Sequence, residues 1–268
     1  MHPAFKKIAR ETLRRFDLRV LGYRHVEWLE KNAKVGNVME MLLDSRYAHR
    51  AQLGLQDGQL AKALRHSHSQ IGQDIFVLLE LSFKAGGYFV EFGGADGVHL
   101  SNTHLLEKEF GWSGVVAEPA ERWHRRLKNN RNCHVEAKCV WRDSDTVLTF
   151  NETPEAELST IDSYSSSDNH NRARIKGEKY SVSTISMEHL LDKYNAPRRI
   201  DYLSVDTEGS EYEILREFDF DKYEFSAITC EHNFSPQREK VFSLLTSKGY
   251  RRRFESISSF DDWYVRAV

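Results

Sequence analysis

The stretch Tyr88-Phe89-Val90-Glu91-Phe92-Gly93-Gly94-Ala95-Asp96-Gly97 decides the fold: an apolar run carrying one acid enters a turn with three glycines in five residues. Glycine there lets backbone approach a ligand closely and adopt dihedrals closed to other residues. In an open α/β sheet such a turn lies at the carboxyl ends of the strands, where ligands bind. The spacing argues against a dinucleotide site, because it does not supply Gly-x-Gly-x-x-Gly and would set Glu91 and Asp96 near a pyrophosphate. No Lys-Ser/Thr follows, which excludes a Walker-type phosphate loop. The acids suit instead a ligand that is cationic at sulfur and carries an ammonium group.

The next apolar run, Gly114-Val115-Val116-Ala117-Glu118-Pro119, also ends in an acid. A carboxylate at the adjacent strand tip accepts both hydroxyl hydrogens of a ribose. Glu118 reads equally as a charge at a helix N-terminus, and the two roles coexist. The two elements together favour a nucleoside ligand.

Further along, short apolar runs alternate with amphipathic segments from residue 71 onward, the pattern of a parallel sheet with crossover helices. Helices are expected over 73–84, 101–110, 186–194, 211–218 and 236–248. Strands are expected over 87–92, 113–118, 133–137, 146–150, 180–183, 200–205 and 225–230. A closing pair over 250–254 and 263–268 is a candidate for antiparallel pairing. Ser186 is read as a helix cap. Residues 151–178 show no strong periodicity and read as an ordered loop or lid with mobile parts.

A second polar set sits at two neighbouring strand ends. Ile200–Val205 runs into Asp206-Thr207-Glu208-Gly209, and the following strand ends Thr229-Cys230-Glu231-His232-Asn233. Asp206, Glu208, Glu231 and His232 suit a substrate hydroxyl, a general base or a divalent cation. A hydroxyl is a poor nucleophile until its proton is removed, so a base within hydrogen-bond reach is useful. His232 has the best ordinary pKa for that task, and Asp206 or Glu231 serves if its pKa is raised. Asp206, His232 and Glu231 are therefore the catalytic candidates. An oxygen-rich set of Asp206, Glu208 and Glu231 with His232 favours magnesium over zinc. The alternative is that Asp206 and Glu208 only fix the crevice and His232, one of twelve histidines, lies in a surface loop.

On these residues the chain resembles the FkbM-type methyltransferases, which use S-adenosylmethionine. The likeness is carried by Ser69–Asp74, Phe89–Gly97, Ser101-Asn102-Thr103, Gly111–Gly114, Glu118-Pro119 and Asp206–Glu211, and spans residue 69 to the C-terminus. It implies a Rossmann-like seven-stranded sheet of order 3-2-1-4-5-7-6 with helices on both faces. By that likeness Glu91, Gly93, Gly94 and Asp96 frame the methionine part of the cofactor and Glu118 its ribose. Ser101 and Asn102 brace the site, Ser101 equally as a plain helix cap, and residues 137–140 pass the adenine. The implied activity is O-methylation of a small molecule, a sugar or a secondary metabolite. The runner-up is a non-catalytic interaction protein that keeps the fold.

Composition narrows the rest. The 268 residues fit one α/β domain with an appendage or two small domains. With 38 Lys+Arg against 40 Asp+Glu, nothing drives the chain toward nucleic acid or an anionic membrane. Cys133, Cys139 and Cys230 lack zinc-knuckle or redox spacing, and no apolar run reaches membrane-spanning length. A cytoplasmic protein is expected. Residues 1–68 read as a helical extension that acts as lid, packing element or homo-oligomer contact, ahead of a methyltransferase domain over 69–268. Apolar stripes are expected at Phe5, Ile8, Ala9, Leu13 and Phe16, and at Met39, Leu42, Leu43 and Tyr47.

Overall fold

The computed structural model describes residues 34, 36–56, 58–167 and 170–267. Along the chain the strands are β1 (Tyr88–Phe92), β2 (Ser113–Ala117), β3 (His134–Glu136), β4 (Cys139–Trp141), β5 (Val147–Glu152) and β6 (Thr160–Ile161). They continue with β7 (Glu178–Ser186), β8 (Arg199–Val205), β9 (Glu224–Glu231), β10 (Tyr250–Arg253) and β11 (Asp261–Arg266). The helices are α1 (Ser45–Gln56), α2 (Gln59–His66), α3 (Gln73–Glu80), α4 (His104–Phe110) and α5 (Glu121–Asn130). After them come α6 (Asn171–Arg174), α7 (Met187–Lys193), α8 (Glu211–Arg216) and α9 (Arg238–Ser247).

Seven strands form the main sheet in the order β10-β11-β9-β8-β1-β2-β3. Counting only its own strands along the chain, this is 3-2-1-4-5-7-6, the order the resemblance implies. β3, β2, β1, β8 and β9 run parallel, while β11 is antiparallel to both neighbours. The central strands are buried on both faces, which is why they read as nearly unbroken apolar runs. Val90, Phe92, Leu203 and Val205 point into one core, and Phe89, Val116, Tyr202 and Trp263 into the other.

The second core includes part of the chain before residue 69. Val38, Met41, Tyr47, Leu60 and Ala63 are buried in it beside Phe76 and Trp263. The Tyr47 hydroxyl donates to Glu80 at 2.8 Å, and Arg253 pairs with Asp44. The expected apolar stripe holds at Tyr47, which is buried, and at Leu42, which packs against this core, and is corrected at Met39 and Leu43, which are 55% and 78% exposed while Val38 and Met41 are buried. The helical run over 36–43 breaks at Asp44, so the face turned to the sheet is set by the three-residue step from Val38 to Met41. The stripe from Phe5 to Phe16 lies outside the described residues.

A smaller sheet of order β4-β7-β5-β6, not foreseen in the sequence, stands beside the first. β7 runs from residue 178, longer than expected, and its end at Ser186 caps α7 by accepting from the His189 amide at 3.2 Å. The aperiodic 151–178 stretch contains the end of β5, two 3₁₀ turns, β6 and α6. It is a chain of short elements, each below the length at which periodicity shows.

Candidate functional site

The cleft opens at the carboxyl ends of β1, β2 and β8. Gly93, at φ +80°, is the point of closest approach: a Cβ there would stand 2.0 Å from the Asp206 carbonyl oxygen at the tip of β8. Gly94 is needed for a different contact, since its Cβ would meet a Val116 methyl at 2.1 Å. Asp96 turns back on its own loop and accepts from the Val98 and His99 amides at 2.9 and 2.8 Å. Neither Gly94 nor Asp96 lines the cleft.

Glu91 is buried, and its carboxylate is enclosed by protein donors. It accepts from the hydroxyls of Ser101 and Thr103, from the Asn102 amide at 2.8 Å, and from Arg131 at 3.3 Å. Arg131 is fully buried and also binds Glu107 at 2.7 Å. Glu91 lines the cleft as well as bracing the turn through these donors. Ser101 accepts from the Thr103 and His104 amides at 3.2 and 3.1 Å, which is the plain capping role. Asn102 donates to Ser204 at 3.0 Å across to β8. Its Oδ1 is buried without a hydrogen-bond partner, and the residue lines the cleft.

At the tip of β2, Glu118 accepts from the Ala95 amide on one oxygen and the Ala120 amide on the other, both at 2.8 Å. Each oxygen keeps a lone pair toward the cleft. Burial pushes its pKa up to about 7, the two amides pull it down, and the charges of Asp206 and Glu152 add to the rise. Residues 137–140 do not line this cleft, and Cys139 and Val140 are buried in the core.

Across the cleft, single oxygens of Asp206, Glu208 and Glu231 lie within 4.8 Å of one another. Burial raises the Asp206 pKa to about 7 and the Glu231 pKa well above the carboxylate range, where the charges of Asp206, Glu208 and Glu211 raise it further. Like charges this close resist ionising together, so the two titrate as a pair that shares a proton. Glu231 Oε2 is buried with no hydrogen-bond partner. Glu208, at φ +58°, accepts from Arg174 at 2.8 Å and Asn233 at 3.1 Å. Arg174 is fully buried and ties the 153–177 segment to this corner through the Leu158 and Tyr164 carbonyls.

His232 does not join the set. Its Nδ1 accepts from the Phe234 amide at 3.0 Å, and its Nε2 faces Asp262 at 3.8 Å, away from the cleft. Burial lowers its pKa to about 4, against the pull of Asp262. The expectation of His232 as base and metal ligand is corrected on this geometry: backbone capture of one ring nitrogen fixes the ring toward β11. Sequence reasoning missed Arg174 and Arg131, which lie in no motif. It also missed Asp261, whose pKa burial and Asp206 push up to about 8. The adjacent acids Asp261-Asp262 in an otherwise apolar strand were the available signal.

The cleft, counted with the open space at its mouth, spans about 720 Å³. It joins a second hollow of about 880 Å³, measured the same way, through shared walls at His99, Leu100, Glu157, Asp206 and Glu208. One half thus holds the glycine turn and Glu118, and the other holds the carboxyl pair.

A family model described as the methyltransferase FkbM domain matches residues 91–252. No curated protein matches the chain. Among solved structures, precorrin-6y C5,15-methyltransferase from Geobacter metallireducens is similar at 12% identity, covering 67% of this chain and 71% of that one, with a TM-score of 0.37. Fibrillarin of Aeropyrum pernix with bound S-adenosyl-L-methionine is similar at 13% identity, 77% and 74% coverage, and a TM-score of 0.35. These likenesses are distant. No helix among the described residues is long and apolar enough to cross a membrane.

Proposed function

The chain belongs to the FkbM methyltransferase family, an S-adenosylmethionine-dependent enzyme family, and on that premise we propose that it methylates a hydroxyl oxygen of a small molecule. The carrying observation is the buried Asp206–Glu231 carboxyl pair, set in the same cleft as Gly93 and Glu118. S-adenosylmethionine supplies an electrophilic methyl group on a positively charged sulfur. The residues present fit it: Glu118 has a lone pair on each oxygen for the ribose hydroxyls, Asn102 Oδ1 is an unused acceptor, and Gly93 lines the cleft beside them.

On the other side of the cleft, Asp206 is the group that takes the proton. The ionised member of the pair would take the hydroxyl proton as the acceptor oxygen receives the methyl group that the cofactor would supply from its sulfur. A carboxyl pushed up to about 7 is matched to that work near neutral pH. Alignment of oxygen, carbon and sulfur supplies most of the remaining acceleration. A carboxylate-lined cleft disfavours phosphates, which supports a small acceptor over a nucleic acid. Family likeness points to sugars or secondary metabolites.

Calorimetry with S-adenosylmethionine and S-adenosylhomocysteine, followed by transfer of a labelled methyl group to a panel of acceptors, tests this reading. Failure of folded protein to bind either nucleoside at millimolar concentration removes the cofactor assignment. Methylation confined to nitrogen or carbon removes the hydroxyl. A second reading, carried by the three carboxylates within 4.8 Å, places a divalent cation such as magnesium between Asp206, Glu208 and Glu231. A cation there would replace the shared proton and lower the pKa of an acceptor hydroxyl. Full activity after exhaustive chelation removes that reading, and rescue by magnesium that is lost in Asp206→Ala supports it.

A further inference from the structure

We infer that the acceptor carries a protonated amine, seated against the carboxylates of the second hollow while its hydroxyl meets the Asp206–Glu231 pair. This rests on the methyl-transfer reading above and names the substrate class of the same site. The hollow is lined by five carboxyl groups, those of Glu155, Glu157, Asp206, Glu208 and Glu231, and by no lysine or arginine among the described residues. Arg174 pairs with Glu208. Glu155 and Glu157 stand exposed at the wall formed by the first 3₁₀ turn and make no ion pair among the described residues.

The buried end of the hollow gives an independent indication. Glu231 is 9% exposed, lines the hollow, and keeps Oε2 without a hydrogen-bond partner. An unpartnered buried oxygen costs stability unless a ligand satisfies it. A neutral polyol satisfies that atom but leaves Glu155 and Glu157 uncompensated, and an anion is repelled by all of them. An ammonium group with an adjacent hydroxyl answers both observations, with its donors on the carboxylates and its charge complementing the wall.

Binding of such a group also prepares the base. Asp206 and Glu231 are held up by burial and by acidic neighbours: Glu208 and Glu211 after β8 and Glu91 on β1, and Asp206 in turn raises Asp261 on β11. A cation entering the hollow favours their ionised forms. The proton acceptor then becomes available when the acceptor molecule is in place, and much less so before. An amine beside the hydroxyl makes that hydroxyl more acidic as well.

The test uses the full chain with S-adenosylhomocysteine, whose binding is first confirmed by calorimetry. Saturation-transfer NMR then compares glucosamine, methyl glucoside and glucuronate at equal millimolar concentration, in the wild type and in the double variant Glu155→Gln/Glu157→Gln. The expected result is preferential saturation of glucosamine, weakened about tenfold in the double variant when S-adenosylhomocysteine saturates each protein. Equal or stronger saturation of methyl glucoside or glucuronate overturns the inference. So does the absence of any glucosamine signal, or a glucosamine signal that the double variant leaves unchanged. Failure to bind S-adenosylhomocysteine breaks the methyl-transfer reading instead, so the two failures are distinguishable.

Discussion

The two ends of the cleft are built from the same kind of residue and treat it in opposite ways. At the β1–β2 end, Glu91 is enclosed by hydroxyls, an amide and Arg131, and Glu118 takes one backbone amide on each oxygen. At the β8–β9 end, Asp206 and Glu231 lie close together with no basic side chain paired to either among the described residues, and one oxygen of Glu231 has no hydrogen-bond partner. The first arrangement uses protein donors to fix its carboxylates. Burial lifts Glu118 as it lifts Asp206 and Glu231, but only the second end sets one carboxyl against another, as a shared proton requires. A carboxylate at a strand tip is thus structural or reactive according to its donors, and the donors come from elsewhere in the chain.

The most disruptive way to break this contrast is to remove the donor. Arg131→Met leaves Glu91 buried without its cation and Glu107 with Lys108 alone, and is expected to cost about 3–5 kcal/mol of stability, read by urea unfolding. A loss under about 1 kcal/mol would mean that Glu91 is not held as described. Glu231→Gln removes the shared proton but no net buried charge; folding should survive, while methyl transfer falls about 100-fold or more. Full transfer by this variant would take the pair out of the chemistry. Glu118→Gln puts a donor against the amides of Ala95 or Ala120 and is expected to weaken S-adenosylhomocysteine by about 10- to 100-fold in calorimetry.

The smallest expected effect has a definite sign. Asp261 rises from near 4 unfolded to about 8 folded, so the folded protein binds the extra proton between those values. Its contribution to stability is fully present below about pH 4 and is lost as pH rises toward 8. Asp261→Asn should therefore gain relative to the wild type as pH rises across that interval, over whatever constant cost the substitution carries. Denaturation curves at pH 5 and pH 8 read the difference, and a gain toward acid pH would reverse the assignment.

The same contrast explains what the sequence made legible. Strand tips follow from apolar runs that end in acids, and the central sheet order was reached by its alternation together with the family likeness. The Ser186 cap needed only local chemistry. What escaped depends on partners remote in sequence: nothing near Glu91 announces Arg131, and nothing near Glu208 announces Arg174. His232 was favoured on its ordinary pKa, but burial and the Phe234 amide decide its state and direction. The small sheet escaped because β4 and β6 span three and two residues, too few to display a period.

Glu152 at the end of β5 and Glu178 at the start of β7 are paired across one rung of the ladder. The chain between them departs and returns at a single point, carrying Glu155, Glu157 and Arg174. The spacing of its ends is set by the sheet, whatever lies between, and the entropic cost of a longer excursion grows only logarithmically. Such a segment behaves as an interchangeable cassette: insertions and deletions within it can rewrite what the enzyme accepts while the donor machinery on β1 and β2 is inherited unaltered.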